Sequence, residues 1–156
     1  MTVRYPTGWV IDVQQPGSVI VATSQEVLDL EDNTVPSGEA ALAIAFIDDE
    51  QGILRDYLDS GDLMEMMNNL TKNVFEAESD PQLVFTEPSS MTFMGFAAVR
   101  SDAVFLGTHV FIIMSERDDM VFNFVIGLTA AAEFDKFEPK LLAIAESAQY
   151  MPHITA

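Results

Sequence analysis

The sequence predicts an α+β fold, an α/β/α sandwich with a central twisted antiparallel sheet flanked by helices, and three features carry that prediction. The chain opens on Tyr5-Pro6-Thr7-Gly8-Trp9-Val10-Ile11. Proline fixes φ and glycine tolerates positive φ, so a tight turn delivers the sole tryptophan into a strand. It closes on an amphipathic segment, Pro139 to Ser147, able to cover a sheet. Across the second half, apolar residues recur with a period of two, which is the period of strands.

Taken in order, Val10 to Val13 and Ser18 to Thr23 read as a hairpin across Gln15-Pro16-Gly17. Ser24 is placed to cap a short helix, Gln25 to Leu30, and a loop from Glu31 to Gly38 follows. In Glu39 to Ile47, Leu42, Ile44 and Phe46 face one way and Ala41, Ala43 and Ala45 the other. Both faces are apolar, as in a strand covered on each side, and the alanines leave room for a close helix. A short helical turn over Ile53 to Leu58 precedes a longer helix capped by Asp62, with Leu63, Met66, Met67, Leu70 and Val74 on its packed stripe. Four strands then form a meander: Gln82 to Thr86, Met91 to Arg100, Val104 to Met114 and Met120 to Leu128. Their expected turns are Glu87 to Ser90, Ser101-Asp102 and Ser115 to Asp119. The last helix is expected to begin near Glu138 with Pro139 at its first position, where the missing N–H costs nothing, and to stop at Pro152. Leu141, Leu142, Ile144, Ala145 and Ala148 make its inward side, and Trp9 is expected to pack near it.

At 156 residues with 49% hydrophobic composition, the chain reads as one domain, residues 1–156, with a packed core. No apolar run approaches the ~20 residues that span a bilayer. The start does not read as a secretory signal, because Arg4 is followed by Pro, Gly and Trp. Absence of cysteine excludes disulfides, thiolate metal sites and cysteine nucleophiles, and leaves the compartment open.

The formal charge of −18 comes from 25 acids against seven bases. Nucleic acid is excluded as a partner, because binding phosphates requires clustered Lys and Arg. From Glu26 to Asp62 there are eleven acids against Arg55 alone. Such a field either solvates the fold or docks a basic partner. The candidate partner-binding residues are Asp29, Glu31, Asp32, Asp48, Asp49 and Glu50.

Signs of catalysis are missing. Of the two histidines, His109 falls in a strand and His153 in the tail, without the neighbours that a local metal pair requires. No nucleophile elbow, phosphate-cradling glycine loop or dinucleotide fingerprint occurs. Asp29 to Asn33 and Asp56 to Asp62 are acid-rich but do not match a calcium-binding loop. No catalytic residue, cofactor or metal is therefore expected, and the chain reads as not an enzyme.

The element order, with Tyr5-Pro6-Thr7-Gly8-Trp9 at one end and Leu142-Ala143-Ile144-Ala145-Glu146-Ser147 at the other, resembles the PsbP-like (Mog/PsbP) superfamily. More narrowly, it is similar to bacterial members that share this start. The resemblance implies the α/β/α sandwich and a docking or accessory role, as served by an extrinsic photosystem subunit, Ran-binding proteins and secretion adaptors. The expected function is a non-enzymatic interaction module that docks another protein through an acidic surface, in an extracytoplasmic setting with its signal or anchor outside this chain. Two alternatives stand beside it: a carrier of a small apolar ligand, held between the meander and the Met66/Met67 helix, and a cytoplasmic secretion adaptor or chaperone.

Overall fold

Seven antiparallel strands form one sheet in the order β1-β2-β3-β7-β6-β5-β4. The computed structural model describes residues 1–15, 17–30, 34–78, 83–117 and 120–150, and of Gln14 only the backbone. The hairpin of β1 (Val10–Gln15) and β2 (Ser18–Ala22) leads to the short helix α1 (Gln25–Leu28), whose Val27 N–H donates to the Ser24 cap at 3.4 Å. β3 (Ala40–Asp48) pairs on one side with β2 and on the other with β7 (Val121–Ala130). Between them run α2 (Ile53–Tyr57), α3 (Leu63–Asn69) with a π-helical continuation over Leu70–Phe75, β4 (Ser89–Phe93), β5 (Phe96–Phe105) and β6 (Thr108–Glu116). A 3-10 turn, Ala131–Glu133, feeds α4 (Phe134–Ser147).

Strand alternation sorts the core onto two faces. Leu42, Ile44 and Phe46 of β3 join Phe111, Ile113 and Val125 under Phe137, Leu141, Ile144 and Ala145 of α4. On the opposite face, Ile112, Met114, Phe122 and Phe124 pack against Met66 and Met67 of α3. Ala22 and Ala41 take Val27 of α1 on that same side. The sheet therefore lies between α4 and the layer of α1 to α3, as the alternation in β3 anticipates.

The opening and closing segments meet. Thr2 and Gln149 form an antiparallel bridge, and the Arg4 N–H donates to Ser147 Oγ at 2.8 Å. Trp9 sets its ring edge-on to Phe137 of α4, with centroids 6.5 Å apart. It is half-buried rather than enclosed. We expect Trp9→Ala to cost about 2 kcal/mol, below the ~3–5 kcal/mol of a fully buried aromatic truncation. A urea-denaturation series giving under ~0.5 kcal/mol, the range of an ordinary surface change, would remove Trp9 from the packing.

Two expectations are corrected. The meander has four strands and its last reversal falls where expected, between β6 and β7, but the first two turns lie at Met94-Gly95 and Leu106-Gly107, where both residues of each pair have positive φ (54° and 83°, 49° and 76°). Paired positive φ makes the tight turn that matches strand twist, although Met and Leu seldom occupy such positions. Ser101 and Asp102 consequently lie inside β5, and Leu83 to Thr86 is not a strand of the sheet. That segment is tied to β5 by Thr86 N–H to the Asp102 carbonyl at 2.8 Å. The second correction concerns α4, which starts at Phe134 and carries Pro139 internally. Burial of Phe137, and the stacking of Phe134 on His109, extends the helix one turn beyond the proline signal. Pro152 and His153 lie outside the described residues.

A candidate docking site on the acidic side of the sheet

The loop after β3 is built around one carboxylate. Alternation turns Asp48 toward the α4 face and Asp49 toward the layer of α1 to α3. Asp49 is 2% exposed. Its Oδ1 accepts the Leu54 N–H at 2.7 Å, and its Oδ2 accepts the Arg55 N–H at 3.3 Å and Arg55 Nε at 2.9 Å. Arg55 Nη2 closes the ring by donating to the Asp49 carbonyl at 2.9 Å. Gly52, in the left-handed region at φ 72°, precedes α2 and offers no side-chain cap, so Asp49 satisfies the free N–H groups of the helix. Burial alone would raise this carboxyl, but the hydrogen bonds from Leu54 and Arg55 and the adjacent guanidinium outweigh it and hold it below its ordinary value. Asp49, read from sequence as a surface acid, is thus the buried keystone of the loop.

The other sequence-derived acids fare differently. Asp48 and Glu50 are exposed, and the Glu50 N–H donates to Asp48 Oδ1 at 3.1 Å. Asp29 is exposed at the end of α1, where it accepts from Gln25 Nε2 at 3.2 Å. Since α1 packs on Ala41, Asp29 lies near the start of β3 and Asp48 at its end. At ~3.3 Å per residue, a strand of this length separates them by over 20 Å. They do not form one cluster. Glu31 and Asp32 lie outside the described residues.

Beyond the loop, α2 exposes a pair of apolar side chains. Ile53 and Tyr57, 68% and 67% exposed, stand one helical turn apart on the outward face of α2. Asp56, Asp59, Asp62 and Glu65 are exposed on α2, on the connection that follows and on α3. The bases of this layer are internally committed, Arg55 to Asp49 and Lys72 to Glu76 at 2.9 Å. Ile53 and Tyr57 were legible only as a puzzle. The segment carries Leu54 and Leu58 on one side and Ile53 and Tyr57 on the other, and one pair must face water.

A second polar constellation sits on the α4 face. Arg100 of β5 donates to Asp102 through Nε at 2.8 Å and Nη2 at 2.9 Å, and to Glu138 of α4 at 2.9 Å. His109 Nε2 lies 2.7 Å from Asp102 Oδ2, while its ring stacks on Phe134 with centroids 3.5 Å apart. Partial burial raises the Asp102 carboxyl, and the bonds from Arg100 and His109 more than reverse this, leaving it lowered. The Arg100 guanidinium is held charged by its bonds to Asp102 and Glu138 against the opposing effect of burial. Each acid or base in this row is engaged with another, and the row clasps α4 to β5 and β6. Among the described residues no three potential ligands converge as a metal site, and no helix is long and apolar enough to cross a membrane.

No family model and no curated protein matches the sequence. Solved structures do. The chain is similar to the solution structure of cyanobacterial PsbP (CyanoP) from Synechocystis sp. PCC 6803, with a TM-score of 0.56 and 17% identity over 94% of this chain and 84% of that one. The chain has the PsbP-like fold. A second match is a crystal structure of a protein of unknown function, PA94 from Pseudomonas aeruginosa, at a TM-score of 0.52 and 17% identity, covering 98% of this chain and 99% of that one. At 17% identity the likeness to both is one of fold.

Proposed function

We propose that this chain is a non-enzymatic accessory module, a single domain that docks a basic partner protein through the β3–α2 loop and the outward face of α2. The observation that carries the reading is the exposure of Ile53 and Tyr57 on α2, in a stretch of chain whose exposed acids include Asp48, Glu50, Asp56 and Asp59. An exposed aromatic beside an aliphatic side chain supplies an anchor, and a surrounding ring of one charge steers association. Asp49 and Arg55 hold the loop in place before the partner arrives, which lowers the ordering cost of binding. The PsbP-like fold supports an accessory role in general terms.

The partner should carry basic residues around an apolar pocket. A pull-down from the native host, run at low and high salt, compares the wild type with Tyr57→Ser and with Asp48→Asn/Glu50→Gln. We expect Tyr57→Ser to weaken capture at any salt by roughly thirtyfold, as for an interface anchor worth ~2 kcal/mol. The charge pair should slow association at low salt only. Because all three side chains are exposed, folding stability should stay within ~0.5 kcal/mol of wild type. Equal capture by all three proteins would overturn the proposal.

The apolar-ligand reading loses the interface the sequence assigned to it. Met66 and Met67 are fully buried in the packed core, so the interface expected to hold a ligand is filled by their side chains. An open groove of about 330 Å³ lies instead beside β1 and β2, lined by Met1, Val3, Ile11, Val13 and Val19.

A further inference from the structure

Across four strands of the α4 face, Phe46, Asn123, Ser115 and Ala98 stand side by side, each the register partner of the next. Ser115 is 0% and Asn123 1% exposed. Neither the Asn123 amide oxygen nor its nitrogen makes a hydrogen bond, and the Ser115 hydroxyl makes none either. Arg117, two residues beyond Ser115, lies with its guanidinium 5.3 Å from the ring centroid of Phe46 on β3 and 4.7 Å from that of Phe96 on β5. A group within reach of rings from both flanking strands roofs the β6–β7 pair between them. Its Nε is also buried without a partner among the described residues, and its Nη2 lies 3.3 Å from Met94 Sδ. Among the described residues, these four atoms are all the buried side-chain polar atoms left unbonded. They fall in one place.

Buried donors and acceptors are normally paired, because an unmade bond in a dry interior costs the full desolvation of the group. Arg117 adds a cation that forms no ion pair with any described carboxylate, in a chain where acids outnumber bases by 25 to seven. Burial pushes its guanidinium down from the usual value, as expected for a desolvated cation with no counter-charge among the described residues. We infer that Arg117, Asn123 and Ser115 form a binding site for a carboxylate that carries an N–H or O–H donor close beside it. One carboxylate oxygen meets Arg117 Nε, and the other meets Asn123 Nδ2 and the Ser115 hydroxyl. The ligand's own donor meets Asn123 Oδ1. Phe46 and Phe96 flank the guanidinium, and because the unbonded atoms have no open space beside them, the partly exposed Arg117 must swing outward to admit the ligand. A single planar negative charge matches a single guanidinium better than a multiply charged phosphate would. Two sources share this chemistry, a small hydroxy acid and the C-terminal unit of a peptide. The site is independent of the docking face on α2.

The test is an NMR titration of the full chain at neutral pH, following the Arg117 Nε–Hε and Asn123 side-chain amide signals. Glycolate stands for the hydroxy acid and N-acetylglycine for the peptide terminus, with N-acetylglycinamide and chloride as controls. We expect saturable shifts of both signals with glycolate or N-acetylglycine and none with either control; whichever probe binds more tightly identifies the source. Ser115→Ala removes a hydroxyl that bonds to nothing in the fold, so it should leave folding intact and weaken binding about tenfold, the loss of one charge-assisted bond. Asn123→Leu should abolish the shift at Arg117 while the unliganded protein melts no earlier than wild type. The inference is overturned if neither carboxylate shifts these signals, if Ser115→Ala binds as well as wild type, or if Asn123→Leu markedly lowers the melting temperature. That last result would show that ordered water already satisfies the amide.

Discussion

Gly127→Ala is expected to destabilise the protein by about 3 kcal/mol, the upper end of what overpacking a core usually costs. A Cβ built on Gly127 would lie 2.2 Å from Phe111 Cε1 and 2.3 Å from Cζ. The two residues are register partners across β6 and β7, and the Phe111 ring lies over the glycine. Phe111 is fully buried, and the Arg100 guanidinium sits 4.8 Å from its ring centroid. Any tilt of the ring to admit a methyl group therefore disturbs Arg100, which is fixed by Asp102 and Glu138. Gly127 is needed for space rather than for backbone freedom. Gly95 is the contrast, at φ +83° with nothing within 4 Å of an added Cβ, so alanine there meets backbone strain alone. Urea denaturation of both variants checks the distinction. Partial rescue of Gly127→Ala by Phe111→Leu is expected, and a Gly127→Ala loss under ~0.5 kcal/mol would refute the packing argument.

Asp49→Ala comes next, with an expected loss of about 2–3 kcal/mol. This lies somewhat under the ~3–5 kcal/mol for breaking a fully buried ion pair, because Arg55 retains 29% exposure. The variant leaves the Leu54 and Arg55 N–H groups and Arg55 Nε without their acceptor. Asp49→Asn should lose nearly as much, since an amide N–H₂ would face the guanidinium. The same carboxylate shapes the pH dependence. Its folded pKa lies below that of the unfolded chain, so its contribution is fully present above about pH 4, the ordinary aspartate value, and disappears as pH falls through the folded value. Glu76, lowered chiefly by the Phe85 N–H, and Asp102 add to stability in the same direction. Denaturation midpoints taken from pH 7 downward should fall more gently for Asp49→Asn than for wild type, and parallel curves would show that Asp49 is not a source of the acid lability.

The sandwich was legible because β3 declares both of its faces at once, leucine, isoleucine and phenylalanine on one and alanine on the other. Trp9 and the closing helix were legible for a similar reason, since a lone large aromatic and an apolar stripe each need a covering surface. The first two hairpin turns of the meander were not. Met94 and Leu106 continue the apolar run, and only the glycine after each marks the reversal. The residue that enters the left-handed region carries no turn chemistry of its own. At the candidate docking site, Asp48, Asp49 and Glu50 are equivalent as a string of acids. The pleat separates them, because it sends the middle one inward, where a helix start needs an acceptor and Arg55 needs a counter-charge. Ser115, Arg117 and Asn123 escaped notice because they converge only through strand register. Nothing local to any of them announces the other two.

The strand order has a kinetic consequence. Each neighbouring pair but one closes a hairpin or a modest loop, as in β1–β2, β4–β5 and β5–β6. The exception lies near the middle of the sheet, where β3 meets β7 and Ala43 pairs with Ile126. Closing a chain loop that long costs more entropy than any of the short reversals, and this cost must be met before the contacts of that seam repay it. The N-terminal three strands and the C-terminal meander can each assemble from near neighbours in the sequence. The rate of reaching the native state is then governed by the encounter of two partly formed halves. Until that encounter, β3 and β7 each expose an unpaired edge rich in apolar side chains, so the same junction that centres the finished sheet is the stretch most open to wrong partners while the chain is still folding.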